Sequence, residues 1–136
     1  MHYGRGFEGS KYVAGRPTKE IARFVRQDIK DGIKSGEFPK GLKCSIRYRS
    51  FSGGSSIECD VVALPSGFKV YNDEALSSYT QEYLELHGKL KALVQAYRYD
   101  DSDSMVDYFN VNFYGGYFDL DYRFEAELRK RKSLTA

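Results

Sequence analysis

Apolar residues recur at Ile21, Phe24, Val25, Ile29 and Ile33, the three-and-four spacing that lines one side of a helix. Thr18 is the expected N-cap, and Glu20 sits in the first turn, where the helix dipole favours an acid. Gly36 ends this pattern and Pro39 follows as a stop. A second stripe, Leu86, Leu90, Leu93, Val94 and Tyr97, predicts a helix from about Gln81 to Tyr97. Between the two the period drops to two. Cys44, Ile46 and Tyr48 alternate with polar residues, and a second run follows from Ile57 to Ala63. Ser52-Gly53-Gly54-Ser55 separates them and predicts a hairpin centred on the glycine pair. In that register Tyr48 faces Cys59 and Ile46 faces Val61. On the other side Arg47 meets Asp60 and Arg49 meets Glu58, and these opposite charges support the register.

Further along, Tyr108–Tyr114 reads as a third strand with Phe109, Val111 and Phe113 on its core side. Gly115-Gly116 reads as a turn, and Tyr117–Asp121 as a fourth, edge strand. Phe68–Gln81 has no clear period; Tyr71, Leu76 and Tyr79 suit either a loop or a short helix. The predicted architecture is α+β, in the order helix, β-hairpin, helix, one or two further strands and a C-terminal helix. The helices cover one face of a mainly antiparallel sheet of three or four strands. Residues 1–15, with four glycines, form a flexible leader; 16–122 make a single domain; 123–136 are a basic C-terminal helix or tail.

The composition suits one domain: 136 residues, 41% hydrophobic and 15% aromatic. Val61-Val62-Ala63-Leu64 is the longest apolar run, far short of the roughly 20 residues of a membrane span. The N-terminus lacks the apolar core of a secretory signal. The expectation is a cytoplasmic protein with no membrane partner. Cys44 and Cys59 lie out of step in the hairpin, which argues against a disulfide and for a reducing compartment.

Charge changes the picture more than composition does. Residues 1–50 hold 12 Lys/Arg against 5 Asp/Glu, whereas 51–128 hold 5 against 14. Arg129, Lys130, Arg131 and Lys132 then form a basic end. Lys19, Arg23, Arg26, Lys30 and Lys34 fall on one stripe of the first helix, at about 100° per residue opposite its apolar side. One reading pairs this stripe with the chain's own acids. The other leaves a two-poled surface whose basic side meets an anionic partner, a protein, a nucleoprotein or nucleic acid. A second candidate surface is the uncovered sheet face, with Tyr108, Asn110, Asn112 and Tyr114 placed to stack bases or anchor an interface, unless the C-terminal helix covers it.

Catalytic patterns are weak. His87 has no nucleophile at a suggestive spacing, and His2 lies in the leader. Asp100, Asp101, Asp103 and Asp107 miss the calcium-loop spacing and read as turn residues. Gly53-Gly54-Ser55-Ser56 precedes a strand rather than the helix that a phosphate loop needs. With two histidines and two cysteines no zinc pattern forms. The residues therefore predict no catalytic group, metal or cofactor, and leave the oligomeric state open. A small hydrolase or metal-dependent enzyme stands third and would need Asp100, Asp103 and His87 to converge.

Three segments carry a family resemblance: Lys11-Tyr12 with Thr18–Lys30; Phe38–Arg47 leading into Gly54–Ile57; and Tyr97–Asp103 with Asp107–Tyr114. Together, over residues 11–115, they resemble a large polyvalent protein-associated domain, the twenty-ninth of that series. The resemblance implies an accessory protein of phages or conjugative elements acting in the host bacterial cytoplasm, with no assigned catalytic residues. Combined with the charge layout, it points to a non-catalytic counter-defence inhibitor that binds an acidic host target through the basic helix. The alternative is direct nucleic-acid binding by the same face.

Overall fold

A computed structural model describes residues 6–72, 78–101 and 111–135. Its elements are β1 (Phe7–Glu8), α1 (Thr18–Ser35), β2 (Lys43–Phe51), β3 (Gly54–Ala63), α2 (Gln81–Gln95), β4 (Tyr99–Asp100), β5 (Tyr114–Leu120) and α3 (Tyr122–Thr135). The main sheet has the order β2-β3-β5. β2 and β3 are antiparallel, as a hairpin must be, whereas β5 runs parallel to β3. Two parallel neighbours require a crossover, and α2 supplies it. The α+β architecture with helices against a sheet is the one the hydrophobic pattern predicts; the sheet itself is mixed. β1 and β4 form a separate antiparallel pair.

The core forms where three apolar surfaces meet. Ile21, Val25 and Ile29 of α1 and Leu86, Leu90 and Val94 of α2 close on Ile46, Ile57, Cys59, Val61 and Phe118 of the sheet. Phe38, Leu42, Tyr97 and Phe113 fill the ends, and Phe124 of α3 joins from the side. Each buried aliphatic side chain contributes about 1.5–3 kcal/mol on removal from water. Both predicted helical stripes are therefore the buried ones. Thr80 caps α2 by accepting from the Tyr83 N–H. Gly36 closes α1 where expected.

Thr18 is a correction. It is the first helical residue, with Pro17 in the cap position, and its hydroxyl is shared with Ser55 Oγ (2.6 Å) and the Asn112 carbonyl. A long-range contact outcompetes the local cap because Thr18 is buried. Part of the expected leader is held in place. The Gly9 N–H donates to the Arg98 carbonyl (2.8 Å) and the Lys11 N–H to the Ala96 carbonyl (2.7 Å), so residues 7–11 are fastened to the chain beyond α2.

The hairpin turns at Ser52-Gly53, one residue earlier than predicted, with Gly53 in the left-handed region at φ +92°. Moving the turn by one residue slides the pairing by two, which keeps every side chain on its predicted face. Tyr48 now faces Ile57, Ile46 faces Cys59 and Arg47 faces Glu58. The predicted ion pairs survive as diagonal contacts: Arg47 to Asp60 at 3.1 Å and Arg49 to Glu58 at 3.3 Å.

The larger correction lies at residues 108–121. Tyr108–Asn110 fall outside the described residues. Val111 makes one isolated bridge to Asp100, and the strand begins only at Tyr114. Gly115-Gly116, read as a turn, sit inside β5, at φ +76° and +84°, where the β3–β5 register shifts. They are glycines for steric reasons. A Cβ on Gly115 would lie 2.5 Å from the Ile57 carbonyl oxygen, and one on Gly116 would lie 2.8 Å from Val94 and 2.9 Å from the Arg98 guanidinium. Arg98 is buried and donates to the Gln95 side chain (2.9 Å), the Phe113 carbonyl (2.9 Å) and the Gly115 carbonyl.

Gly116→Ala is expected to lower the unfolding free energy by about 2–4 kcal/mol in a urea titration, since strain and collision add. Gly67→Ala, at φ +86° with open space around it, carries only the conformational penalty of about 1–2 kcal/mol. Equal losses at the two positions would show that Arg98 and Val94 do not crowd Gly116.

Candidate functional site

α1 is amphipathic in two senses. Its apolar side is buried, while Lys19, Arg23, Arg26, Lys30 and Lys34 are all exposed. At about 1.5 Å per residue the row from Lys19 to Lys34 is about 22 Å long. The acids of the helix lie mostly elsewhere. Half-buried Asp28 accepts from the Tyr97 hydroxyl and pairs with Lys11 at 3.4 Å, and Asp31 accepts from Gln27 at 2.9 Å. Only Glu20 approaches the row, 3.9 Å from Arg23 across one helical turn. Such an exposed pair contributes a few tenths of a kcal/mol. Among the described residues Lys19, Lys30 and Lys34 make no ion pair.

Arg26 has a different task. Its Nε and Nη2 donate to the Ile46 carbonyl at 3.1 and 2.7 Å. β2 is an edge strand, so the guanidinium occupies an acceptor that the sheet leaves without a partner. His87 does the same at the opposite edge. Its Nε2 lies 2.8 Å from the Phe118 carbonyl of β5, which makes Nε2 the protonated nitrogen. Sequence reasoning missed both contacts, because nothing local marks a side chain as the partner of a distant strand edge.

The outer sheet face is the opposite pole. Arg47, Glu58, Asp60, Tyr117 and Asp119 line a shallow depression of about 280 Å³ beside the Gly115-Gly116 kink. Burial and the neighbouring carboxylates Asp121, Asp119 and Glu58 raise the Asp60 carboxyl, against the pull of Arg47. Arg47 and Arg49 are thus spent on their own strand partners, Glu58 and Asp60.

The second predicted surface does not assemble from the described residues. Tyr108 and Asn110 lie outside them. Asn112 is structural: its Oδ1 accepts from the Tyr99 N–H (2.8 Å) and its Nδ2 donates to the Tyr97 carbonyl (2.7 Å). Tyr114 is exposed beside Phe51, with ring centroids 6.0 Å apart. α3 does not cover it; that helix sends Phe124 into the core and joins Tyr71 through Glu125 at 3.2 Å.

The catalytic constellation is not assembled by the described residues either. His87 and Asp100 are separated by the rest of α2, whose eight residues to Gln95 alone span about 12 Å. Asp103 and Asp107 lie outside the described residues. Among the described residues no group of three or more His, Cys, Asp or Glu is placed to hold a metal ion. No described helix is long and apolar enough to cross a membrane. Cys44 and Cys59 are both free, and burial pushes each thiol up to about 12. Neither is a thiolate at neutral pH, so neither is an activated nucleophile.

No protein-family model matches the chain, and comparison with curated proteins and with solved structures returns no match.

At about pH 8, a small disulfide reagent should leave both native thiols unlabelled and modify both after denaturation. Stability should fall as pH rises above 9.0 toward about 12, because the unfolded chain releases its thiol protons first. Rapid labelling of the native protein would contradict this.

Proposed function

We propose that this chain is a non-catalytic accessory protein of a phage or mobile element that docks the outer face of α1 on an acidic host protein and blocks its use, as a counter-defence inhibitor does. The observation that carries this reading is the row Lys19, Arg23, Lys30 and Lys34, exposed and, among the described residues, met by a carboxylate only where Glu20 lies 3.9 Å from Arg23. Cations held on a rigid helix steer association and disfavour wrong partners more than they add raw affinity. The mobile-element setting rests on the family resemblance of residues 11–115. The acidic outer sheet face favours a partner that approaches from one side. A nucleic acid wrapping the molecule would meet Glu58, Asp60 and Asp119.

The test uses a variant carrying Lys19→Glu, Lys30→Glu and Lys34→Glu. Arg26 is kept, because it holds the Ile46 carbonyl. In affinity capture from nuclease-treated host lysate, the wild type should retain an acidic protein that elutes with rising salt. The variant should bind that protein at least about tenfold more weakly. Unchanged capture and unchanged host phenotype would overturn the docking reading. Binding to duplex DNA with a log–log salt slope of about −4 would transfer the same face to nucleic acid.

A further inference from the structure

Among the described residues no strand pairs with the outer edge of β2, and Arg26 of the basic row reaches that edge. The two-residue turn closes on the Phe51–Gly54 pair, and a turn of that length makes the closing pair a hydrogen-bonded one. Alternation then assigns the remaining residues. Ser45, Arg47 and Arg49 spend their N–H and C=O groups on β3, whereas Ile46, Tyr48 and Ser50 direct theirs to the open edge. Arg26 confirms the assignment independently, because the carbonyl it takes belongs to Ile46.

α1 runs antiparallel to β2 and slants across the sheet, its N-terminus over β3 and the segment before β5, where Thr18 also meets the Asn112 carbonyl, and Arg26 at the β2 edge. Thr18 is tied to Ser55, the partner of Ser50, and Arg26 is tied to Ile46. Eight helical residues and four strand residues cover nearly the same distance, about 12 and 13 Å. Arg23 and Lys30, one helical turn either side of Arg26, therefore flank the edge where Arg26 reaches it. Arg47 and Arg49, both exposed, project from the other sheet face. Tyr48 and Phe51, 39% and 45% exposed, add apolar surface near the turn.

Sheet edges recruit extended segments through backbone hydrogen bonds, and flanking side chains select the segment. Here the α1 side is cationic, whereas Arg47 and Arg49 on the other face are already paired with Glu58 and Asp60. We infer that the β2 edge is a docking site for an extended acidic peptide segment, which adds as a strand beside Ile46–Ser50 with its carboxylates under Arg23 and Lys30. This rests on the proposed docking role of α1 and specifies the shape of the partner. The incoming strand would meet the Tyr48 and Ser50 groups directly. At Ile46 its N–H would replace the Arg26 guanidinium, which is then released to a carboxylate.

The probe is a capped synthetic peptide of about eight residues alternating glutamate and threonine, titrated into the full chain. Controls are the same peptide N-methylated along its backbone and a lysine–threonine counterpart. The glutamate peptide should shift the amide resonances of Tyr48 and Ser50 and slow their hydrogen exchange. N-methylation, which removes the backbone donors, should weaken it at least about tenfold. Tyr48→Pro, which deletes an edge N–H without touching the β3 ladder, should weaken the unmodified peptide and leave the N-methylated one unaffected. Equal binding of both glutamate peptides would overturn strand addition while leaving charge docking on α1 intact. Glutamate and lysine peptides of equal affinity would overturn it as well. The lysate capture with the triple variant then judges the α1 reading separately.

Discussion

A buried guanidinium holds this fold together at its least regular point. Arg98 leaves the end of α2 and donates to the carbonyls of Phe113 and Gly115, with its plane over the Phe113 ring at 4.4 Å. Burial lowers its pKa from the usual arginine value, so the charge is held at a cost. Hydrogen bonds to charged groups, about 1.5–3 kcal/mol each, offset that cost. The arrangement serves topology. It fixes where the crossover from α2 hands the chain to β5, and it needs backbone oxygens turned inward where a regular strand would present a side chain. Gly115 and Gly116 supply that turn of the backbone, and any Cβ there would displace what it encloses.

From this anchor the two faces of the sheet acquire opposite characters. The helix side is sealed by the apolar stripes of α1 and α2, which leaves the cations of α1 on the outermost surface. The other side keeps the carboxylates of β3 and β5, partly neutralised by Arg47 and Arg49. Each edge is tended by a side chain from the helix above it, Arg26 on β2 and His87 on β5. One residue of the basic row is thereby a structural brace, and the row's function falls chiefly on its neighbours.

How much of this was legible along the chain depended on the range of the contacts involved. α1 and α2 were legible because periodicity, caps and stops are local, and the burial of Ile21, Val25, Leu86 and Leu90 follows the pattern. The faces of the hairpin were legible for the same reason, although the turn moved by one residue. Thr18 misled because a good cap residue is also a good partner for a distant hydroxyl, Ser55. Gly115-Gly116 misled more, since a glycine pair reads as a turn until Arg98, Val94 and Ile57 are known to crowd it. The exposure of Lys19, Lys30 and Lys34 was legible. That Arg26 is spent, and that β2 offers its edge beside it, depended on the third dimension.

The parallel placement of β5 has a consequence for assembly of the chain. β3 meets its first neighbour across two residues, but Ser56 waits for Tyr114. Long loop closure is entropically slow, so the hairpin forms well before the third strand arrives. During synthesis the central strand emerges with one flank satisfied and the other bare until α2 and the segment beyond it have left the ribosome. The nascent protein is most exposed to misassociation in that interval, along the very ladder that the mature protein encloses.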